Sequence, residues 1–190
     1  TYNDFIISHL EASRENVKDL RTIGVMSPQK KVSLHSDDAE NFSGRYFSVV
    51  AATVTEHPRP GSDDIEKAFD ECWIETNGYL KSDGSRQKRA IAFQGHLRDA
   101  SDSLVSEVFV ADIPDDITAV TEGSPLQGTS SMRPSVPKGL AQRRITFTAD
   151  RKFPGLQGPR SWLRSSPDGS TIYFLMKDDE GVVQIYGVSV

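Results

Sequence analysis

The residues of this sequence best suited to chemistry are four histidines, one pair of adjacent arginines and a single cysteine. The histidines are His9, His35, His57 and His96. No two of them stand two or four residues apart, so the compact histidine pair of a metal-binding motif is missing. Histidines from distant strands can still converge on a ligand. His96 follows a glycine at the end of a predicted strand and is therefore the histidine best placed to face a binding site.

Arg143 and Arg144 are the second candidate group, within a run of residues that favours a β-strand. Successive side chains of a strand point to opposite faces, so we expect the two guanidinium groups on different faces. Adjacent arginines can bind an anionic ligand, and solvated charges at a sheet edge can also oppose aggregation. His96, Arg143 and Arg144 are accordingly the candidate ligand-binding residues, with both uses of the arginines left open.

The other reactive side chains indicate structure rather than catalysis. Cys72 is the only cysteine, which excludes an intrachain disulfide and a sulfur-rich metal site. Its position beside Trp73 favours a buried structural thiol. The paired aspartates lack the spacing of a calcium loop, and no nucleotide-binding or serine-hydrolase motif occurs. The sequence thus predicts no catalytic residue, no metal and no cofactor, and whether the protein is an enzyme stays open.

Composition and charge narrow the class of protein. Among 190 residues, 22 lysines and arginines oppose 27 aspartates and glutamates, which gives a net charge of −5. A nucleic-acid-binding protein normally has a basic face, so nucleic acid is not an expected partner. No apolar run approaches the ~18 residues of a membrane-spanning helix, so no membrane span is expected. A single thiol and no visible signal peptide favour the cytoplasm, although the localisation is left open.

Both ends of the sequence suggest a larger protein. The first residue is Thr1 rather than methionine, and the strand-like run 182–190 stops without a turn or polar tail. A terminal strand normally has a neighbour to pair with. We therefore expect residues 1–190 to be one segment of a domain, truncated at both ends.

Short runs of β-branched and aromatic residues between Gly, Pro, Asp and Ser clusters predict an all-β fold. The predicted strands are 4–10, 17–25, 46–55, 90–96, 105–113, 143–148, 161–165, 171–177 and 182–188. Residues 81–88 and 114–139 lack such runs and are predicted loops. The second loop is long enough to be either functional or disordered.

One segment departs from the β pattern. Its apolar residues recur at the i, i+3, i+4, i+7 and i+8 positions that share one helix face. They are Ile65, Ala68, Phe69, Cys72 and Trp73. Asp63 and Glu66 have the spacing of a helix capping box. The pattern predicts a short amphipathic helix near residues 63–74, inside an insertion spanning 56–89, that covers a sheet or acts as a lid or partner-binding helix.

The most informative stretch lies near the end of the sequence. Ser166-Pro167-Asp168-Gly169 is a tight-turn sequence, because proline presets φ, aspartate bonds back to the backbone and glycine tolerates positive φ. It separates two strand-like runs, and a second turn at 179–181 precedes a third run. Three antiparallel strands joined by tight turns are the repeating unit of a β-propeller blade.

This stretch resembles the TolB-type propeller repeat, in which Ser-Pro-Asp-Gly precedes an Ile-x-Phe strand, an Asp-rich hairpin and an Ile-Tyr strand. The corresponding residues are 166–169, 172–174, 178–179 and 185–186. Weaker copies at 43–50 and 89–113 raise the count to about three four-stranded antiparallel blades. Because a closed propeller has ~4–8 blades, the resemblance implies a partial β-propeller.

A second resemblance covers most of the chain. The segments that carry it are 1–4, 19–25, 60–65, 142–148, 153–156 and 174–179. They are similar to the YidR-like bacterial proteins, which are related to the TolB propellers. The resemblance implies the same propeller fold and no particular activity.

Two functions follow from these observations. The favoured one is a non-catalytic binding or scaffold module for an unknown protein or small-molecule ligand, because strong turn signals occur beside no catalytic constellation. The alternative is a metal-assisted carbohydrate-active propeller enzyme similar to oligogalacturonate lyases, with its catalytic residues mostly outside this segment. That alternative depends on fold analogy and on His96 near a strand end.

Overall fold

The computed structural model describes residues 2–5, 20–28, 44–128, 132–157 and 162–190, and within these ranges it contains β-strands and no helix. The strands are β1 (Tyr2–Phe5), β2 (Arg21–Ser27), β3 (Phe47–Val50), β4 (Ile65–Trp73), β5 (Tyr79–Leu80), β6 (Arg86–Gln87), β7 (Ala90–Arg98), β8 (Leu104–Asp112), β9 (Ala141–Arg144), β10 (Arg164–Ser165), β11 (Thr171–Lys177) and β12 (Val183–Ser189). The all-β class expected from the sequence is therefore correct.

The hairpin β7–β8 forms the centre of the molecule. Its strands pair antiparallel along their whole length, from Ala90 opposite Asp112 to Arg98 opposite Leu104. Strand β4 pairs with the other edge of β7, and β9 pairs with the other edge of β8. We call the antiparallel arrangement β4-β7-β8-β9 the central sheet.

Two further sheets flank the central sheet. Strands β1, β2 and β3 form the first sheet, which joins β4 through one parallel pair, Arg21 with Lys67. Strands β10, β11 and β12 form the third sheet, and β5 and β6 form a short separate hairpin. The order of the described strands is open in each sheet, so none of the sheets closes on itself.

Apolar side chains cover both faces of the central sheet. Along β7, Ile91, Phe93 and Leu97 lie in a core cluster with residues of the first sheet, whereas Ala90 and Ala92 lie in a second cluster with residues of the third. A strand buried on both faces carries a nearly continuous apolar sequence, as β7 does. The central sheet is therefore covered on one face by residues of the first sheet, to which the β2–β4 pair joins it as one seven-stranded sheet, and on the other face by residues of the third sheet.

Residues 63–74 do not form the predicted helix, because Ile65–Trp73 is the strand β4. Irregular pairing with β7 occurs between Ile65 and Lys67 and again between Phe69 and Cys72, and each irregularity adds one residue to β4. Such bulges stretch the two-residue alternation of a strand to a three-residue spacing, which imitates the i, i+3 pattern of a helix. The helix prediction was wrong for this reason.

The turn 166–169 joins β10 to β11. The amide of Gly169 donates a 3.0 Å hydrogen bond to the carbonyl oxygen of Ser166, and Gly169 has the positive φ that was predicted, 75°. The hairpin turns 81–84, 99–102 and 178–181 have the same hydrogen bond between their first and fourth residues. One turn geometry therefore recurs throughout the described chain.

The two predicted loops differ in structure. The first, 81–88, contains the strand β6 and the turn of the β5–β6 hairpin. The second, 114–139, contains no strand among its described residues, which exclude 129–131. Ile117 and Leu126 of this second loop are buried in the core cluster shared with the first sheet. The described part of the long loop is therefore packed onto the molecule.

Each of the nine predicted strands overlaps an observed strand, and 171–177 coincides with β11. The prediction at 143–148 extends beyond β9, which ends at Arg144. Parts of three predictions, namely residues 6–10, 17–19 and 161, lie outside the described residues. Among the described residues, none belongs to a helix with the length and apolar character needed to cross a bilayer.

Candidate functional site

Strand β9 places Arg143 and Arg144 on opposite faces of the central sheet. Arg143 pairs with Val110, which lies in the core cluster shared with the third sheet, and Arg144 pairs with Phe109 in the cluster shared with the first. The two arginines thus have separate surroundings, as strand alternation requires. They do not form a joint anion site.

Arg143 belongs to a polar group with Tyr79 and Asp112. It donates a 2.8 Å hydrogen bond to the Tyr79 hydroxyl, which itself donates to both carboxylate oxygens of Asp112 at 2.9 and 3.0 Å. The Arg143 guanidinium is also 3.4 Å from Asp112 and lies over the Tyr79 ring. Burial, followed by the hydrogen bond to Asp112, raises the pKa of Tyr79. These mutual contacts tie the β5–β6 hairpin to β8 and β9.

Arg144 is held by two neighbours on the other face. It forms a 3.0 Å ion pair with Asp63, and its guanidinium lies 4.3 Å from the centre of the Phe147 ring. The Phe147 side chain is 70% exposed, whereas the Arg144 side chain is 16% exposed, so an exposed ring covers a largely buried arginine. The arginine therefore fixes the residues that precede β4 onto the segment that follows β9.

His96 lies on β7, opposite Ser106 of β8. Its ring meets Phe69 edge-on, with the ring centres 4.6 Å apart. Burial, followed by the charge of Lys67, lowers the pKa of His96, which favours the neutral imidazole. Ser106 is four positions along β8 from Val110, the partner of Arg143, and this spacing corresponds to ~13 Å. The structure does not bring the predicted ligand-binding residues into one site.

Sequence reasoning missed a strained residue beside His96. Asp70 lies in the second bulge of β4 with φ 50°, a left-handed conformation that is uncommon for residues other than glycine. Its carboxylate accepts a 3.3 Å hydrogen bond from the side-chain amide of buried Gln94. The side-chain oxygen of Gln94 in turn accepts a 2.9 Å hydrogen bond from the Ser106 hydroxyl. Burial raises the pKa of Asp70. No sequence pattern marks this bulge, because pairing between distant strands produces it.

A cleft of about 680 Å³ opens where the end of β4 meets the start of the third sheet. Its walls come from three short segments, which supply Cys72, Trp73, Glu75 and Thr76, then Lys88 and Arg89, and finally Arg164–Pro167. Trp73 contributes an indole that is 43% exposed. Burial raises the pKa of the Cys72 thiol to about 11, so this thiol is protonated near neutral pH. The cleft thus combines one large aromatic surface with cationic side chains.

The cationic side chains of this cleft differ in their partners. Arg89 forms a 3.0 Å ion pair with Asp115 and also donates to two backbone carbonyl oxygens. Lys88 and Arg164 have no acidic partner in the part of the chain that the structure describes. Glu75, the one acid of the lining, accepts hydrogen bonds from the neighbouring backbone amides of Thr76 and Asn77. Arg164 does donate to the Leu163 carbonyl oxygen at 2.9 Å and lies over the Trp162 ring, 5.6 Å from its centre. The positive charges of Lys88 and Arg164 are therefore not neutralised by an acid among the described residues.

The predicted structural turn 166–169 builds one wall of this cleft. The Ser166 hydroxyl donates to Asp168 at 2.6 Å and accepts from the Thr171 amide at 3.0 Å. The hydrogen bonds from Ser166 and Ser170 lower the pKa of Asp168 to about 2. Ser166 and Pro167 line the cleft, so a rigid turn fixes its shape. The turn was identified from the sequence, whereas the cleft was not.

Among the residues with a described position, no group of three or more His, Cys, Asp or Glu side chains is arranged to hold a metal ion.

The fold and the cleft define a class of protein: an all-β chain of mainly antiparallel sheets with a cation-lined cleft where β4 meets β10. Over 192 aligned residues, the chain is 35% identical to the uncharacterized protein YidR of Escherichia coli (strain K12). The match covers 100% of this chain and 42% of YidR, so the chain spans less than half the length of that relative. This similarity supports the assignment of the chain to a YidR-like group of uncharacterised proteins. No protein-family model matches this chain, and no solved structure was found to match it.

Proposed function

We propose that this chain is a non-catalytic binding module whose cleft between β4 and β10 holds a small anionic ligand with a flat or cyclic body. One observation carries the proposal: Lys88 and Arg164, which have no acidic partners among the described residues, line the same cleft as the half-exposed indole of Trp73. The whole chain has a net charge of −5, so the cationic cleft is a local positive region on a protein that is negative overall.

The chemistry of the lining supports such a ligand. An indole face packs against flat or cyclic molecules over a large area. Hydrogen bonds between a cation and an anionic group are roughly twice as strong as neutral ones. The volume of about 680 Å³ lies within the range of small-molecule sites. The protonated Cys72 thiol is a poor nucleophile, which supports binding rather than covalent catalysis.

We further propose that the three sheets are successive blades of a β-propeller. The support is the arrangement of the sheets: antiparallel strands, recurrent tight turns and apolar clusters between neighbouring sheets. The third sheet is covered on one face only in the described chain, and Ile185 on its other face is 74% exposed. A further sheet of a longer protein would cover that face in a propeller.

The cleft is tested by titrating the chain with benzoate, phenyl phosphate and glucuronate, with benzyl alcohol as the uncharged probe. The chain has two tryptophans, so the titration uses the Trp162→Phe variant, in which Trp73 is the one remaining indole and its fluorescence reports on the cleft. We expect a cyclic anion to bind and benzyl alcohol not to bind. Arg164→Gln and Lys88→Gln should each weaken the binding of the anion by roughly tenfold, because each removes one charge-assisted contact.

Lys81→Gln is the matched control, because Lys81 is an exposed lysine of the β5–β6 turn outside the cleft. It should leave the affinity unchanged, whereas added salt should weaken binding to the unaltered chain. The proposal is wrong if none of the anions changes the fluorescence, or if Lys81→Gln weakens binding as much as Arg164→Gln.

A further inference from the structure

A second cavity lies far from the cleft in sequence, between the segment that follows β3 and the long loop before β9. Its volume is about 360 Å³. One wall is formed by Ala52, Thr53 and Val54, and the opposite wall by Thr121, Ser124 and residues of the segment 133–140. It shares no lining residue with the cleft.

The wall after β3 is fixed by hydrogen bonds to β9. The side-chain amide of Gln142 accepts a 2.9 Å hydrogen bond from the Thr53 amide and donates to the Thr53 carbonyl oxygen at 3.4 Å. The Ala52 carbonyl oxygen accepts a 2.8 Å hydrogen bond from the Thr22 hydroxyl. This wall is therefore held in place from two strands.

The loop wall is also fixed. The Ser135 amide donates to the Pro125 carbonyl oxygen, and the Lys138 amide donates to that of Ala119, each at 2.9 Å. Leu126 anchors the loop in the core cluster shared with the first sheet. Loops of this length without strands or helices of their own are usually functional when they are ordered. The cavity is thus formed before any ligand arrives.

The lining combines hydroxyl groups with apolar surface. Its hydroxyl-bearing residues are Thr53, Thr121, Ser124 and Ser135. None of these four hydroxyls makes a hydrogen bond within the described residues, so all four can serve a ligand. The apolar surface comes from Val54, Pro134, Val136, Pro137 and Leu140.

The charge at this cavity is balanced. Arg133 is the one charged residue of the lining, and it forms an ion pair with Glu56. A lining with neutralised charge, unused hydroxyls and apolar patches does not favour an ion. It favours a neutral molecule that offers both hydroxyl groups and C–H surface, since such a molecule satisfies the polar groups and packs against the rest.

We propose that this cavity binds a neutral, hydroxyl-rich ring the size of one sugar. The Thr53 and Ser135 hydroxyls on opposite walls hydrogen-bond the ligand, and Val54 and Leu140 pack against its ring. This site is independent of the anionic ligand proposed for the cleft, because the two share no residue.

The test uses glucose, galactose and myo-inositol as probes, with saturation-transfer NMR and titration calorimetry on the unaltered chain and on two variants. Thr53→Val and Ser135→Ala each remove one hydroxyl at nearly constant volume. We expect at least one probe to bind the unaltered chain and to bind each variant roughly fivefold more weakly, as the loss of one neutral hydrogen bond implies.

Ser82→Ala is the control, because Ser82 lies on the exposed β5–β6 turn. It should leave the affinity unchanged, and so should Arg164→Gln in the cleft. Thermal melting of each variant separates lost binding from lost folding, and two variants on opposite walls keep the test usable if one is unstable. The proposal is overturned if no probe binds the unaltered chain, or if binding is equal in Thr53→Val, Ser135→Ala and Ser82→Ala.

Discussion

At the scale of single residues, Gly169 is subject to two independent constraints. Its φ of 75° is a conformation that residues with a Cβ atom rarely adopt. In addition, a Cβ atom at this position would overlap the carbonyl oxygen of Gly78, in the turn that leads into β5. The sequence signals the first constraint through Ser-Pro-Asp-Gly. The second arises only because two distant turns touch.

We expect Gly169→Val to destabilise the protein by ~2 kcal/mol or more, since it combines a strained backbone with a steric overlap. Asp168→Ala should lower the melting temperature less, because it removes hydrogen bonds at the surface and leaves the backbone conformation accessible. Thermal unfolding followed by circular dichroism measures both. Equal shifts for the two variants would contradict this account of the turn.

Asp168 also predicts a pH dependence. Its pKa in the folded chain is about 2, below the ordinary value of 3.8, because Ser166 and Ser170 hydrogen-bond its carboxylate. A depressed folded pKa contributes stability above the unfolded pKa, and this stability is lost as the pH falls through the folded pKa. Asp168→Asn should therefore lower the melting temperature at pH 6, and the difference from the unaltered chain should shrink between pH ~4 and ~2.

The control for this prediction is Asp150→Asn. Asp150 is exposed, and no hydrogen bond of its side chain occurs within the described residues. Its melting curve should follow that of the unaltered chain at every pH. A difference between Asp168→Asn and the unaltered chain that stays constant from pH 6 to pH 2 would refute the linkage.

At the scale of elements, the end of β9 is set by a buried polar network. After Arg144 the Ile145 amide still donates to the Val108 carbonyl oxygen at 2.8 Å, but the Val108 amide donates to the Thr146 hydroxyl at 2.7 Å rather than to a backbone oxygen. That hydroxyl donates to Glu107, which is fully buried and also accepts from the Thr148 amide and hydroxyl. From Thr146 onward side chains replace backbone pairing with β8, so the strand is shorter than its sequence predicts.

We expect Glu107→Ala to destabilise the protein by ~3 kcal/mol, because it leaves the buried donors of Thr146 and Thr148 without an acceptor. Glu122→Ala is the control at an exposed acid and should change stability by less than ~0.5 kcal/mol. Denaturant unfolding compares the two variants. If they lose stability equally, the network does not fix this segment.

At the scale of the whole molecule, the two faces of the third sheet differ in exposure, because the central sheet covers one of them. Phe174 is 5% exposed, in the cluster shared with the central sheet, whereas Ile185 on the opposite face is 74% exposed. Phe174→Ala should cost ~3–5 kcal/mol, as truncation of a buried aromatic ring does. Ile185→Ala should cost less than ~0.5 kcal/mol in this chain.

The same pair of variants tests the proposed propeller in a longer protein that includes this chain. There a further blade would cover Ile185, and Ile185→Ala should then cost ~2 kcal/mol or more, as for a buried aliphatic side chain. Hydrogen exchange of β12 should also slow relative to the isolated chain. A longer protein in which Ile185→Ala still has no effect would contradict a blade at that position.

The sequence alone determined the local features of this protein. The turn 166–169, the apolar runs of β7 and β8, and the division of Arg143 and Arg144 between two faces follow from backbone conformation and side-chain alternation, which neighbouring residues set. The turn and strand order on which the resemblance to the TolB repeat depends were visible for the same reason. The propeller inferred from them stays a prediction.

Only the tertiary structure decided the features that depend on contacts between distant segments. Residues 65–73 became a bulged strand because β7 lies beside them, although their spacing alone favours a helix. The cleft and the loop cavity each join segments that are tens of residues apart, and no local pattern records such proximity. His96 and Arg143 remained separate because register along β7 and β8 fixes their distance, and register depends on the packing of whole sheets.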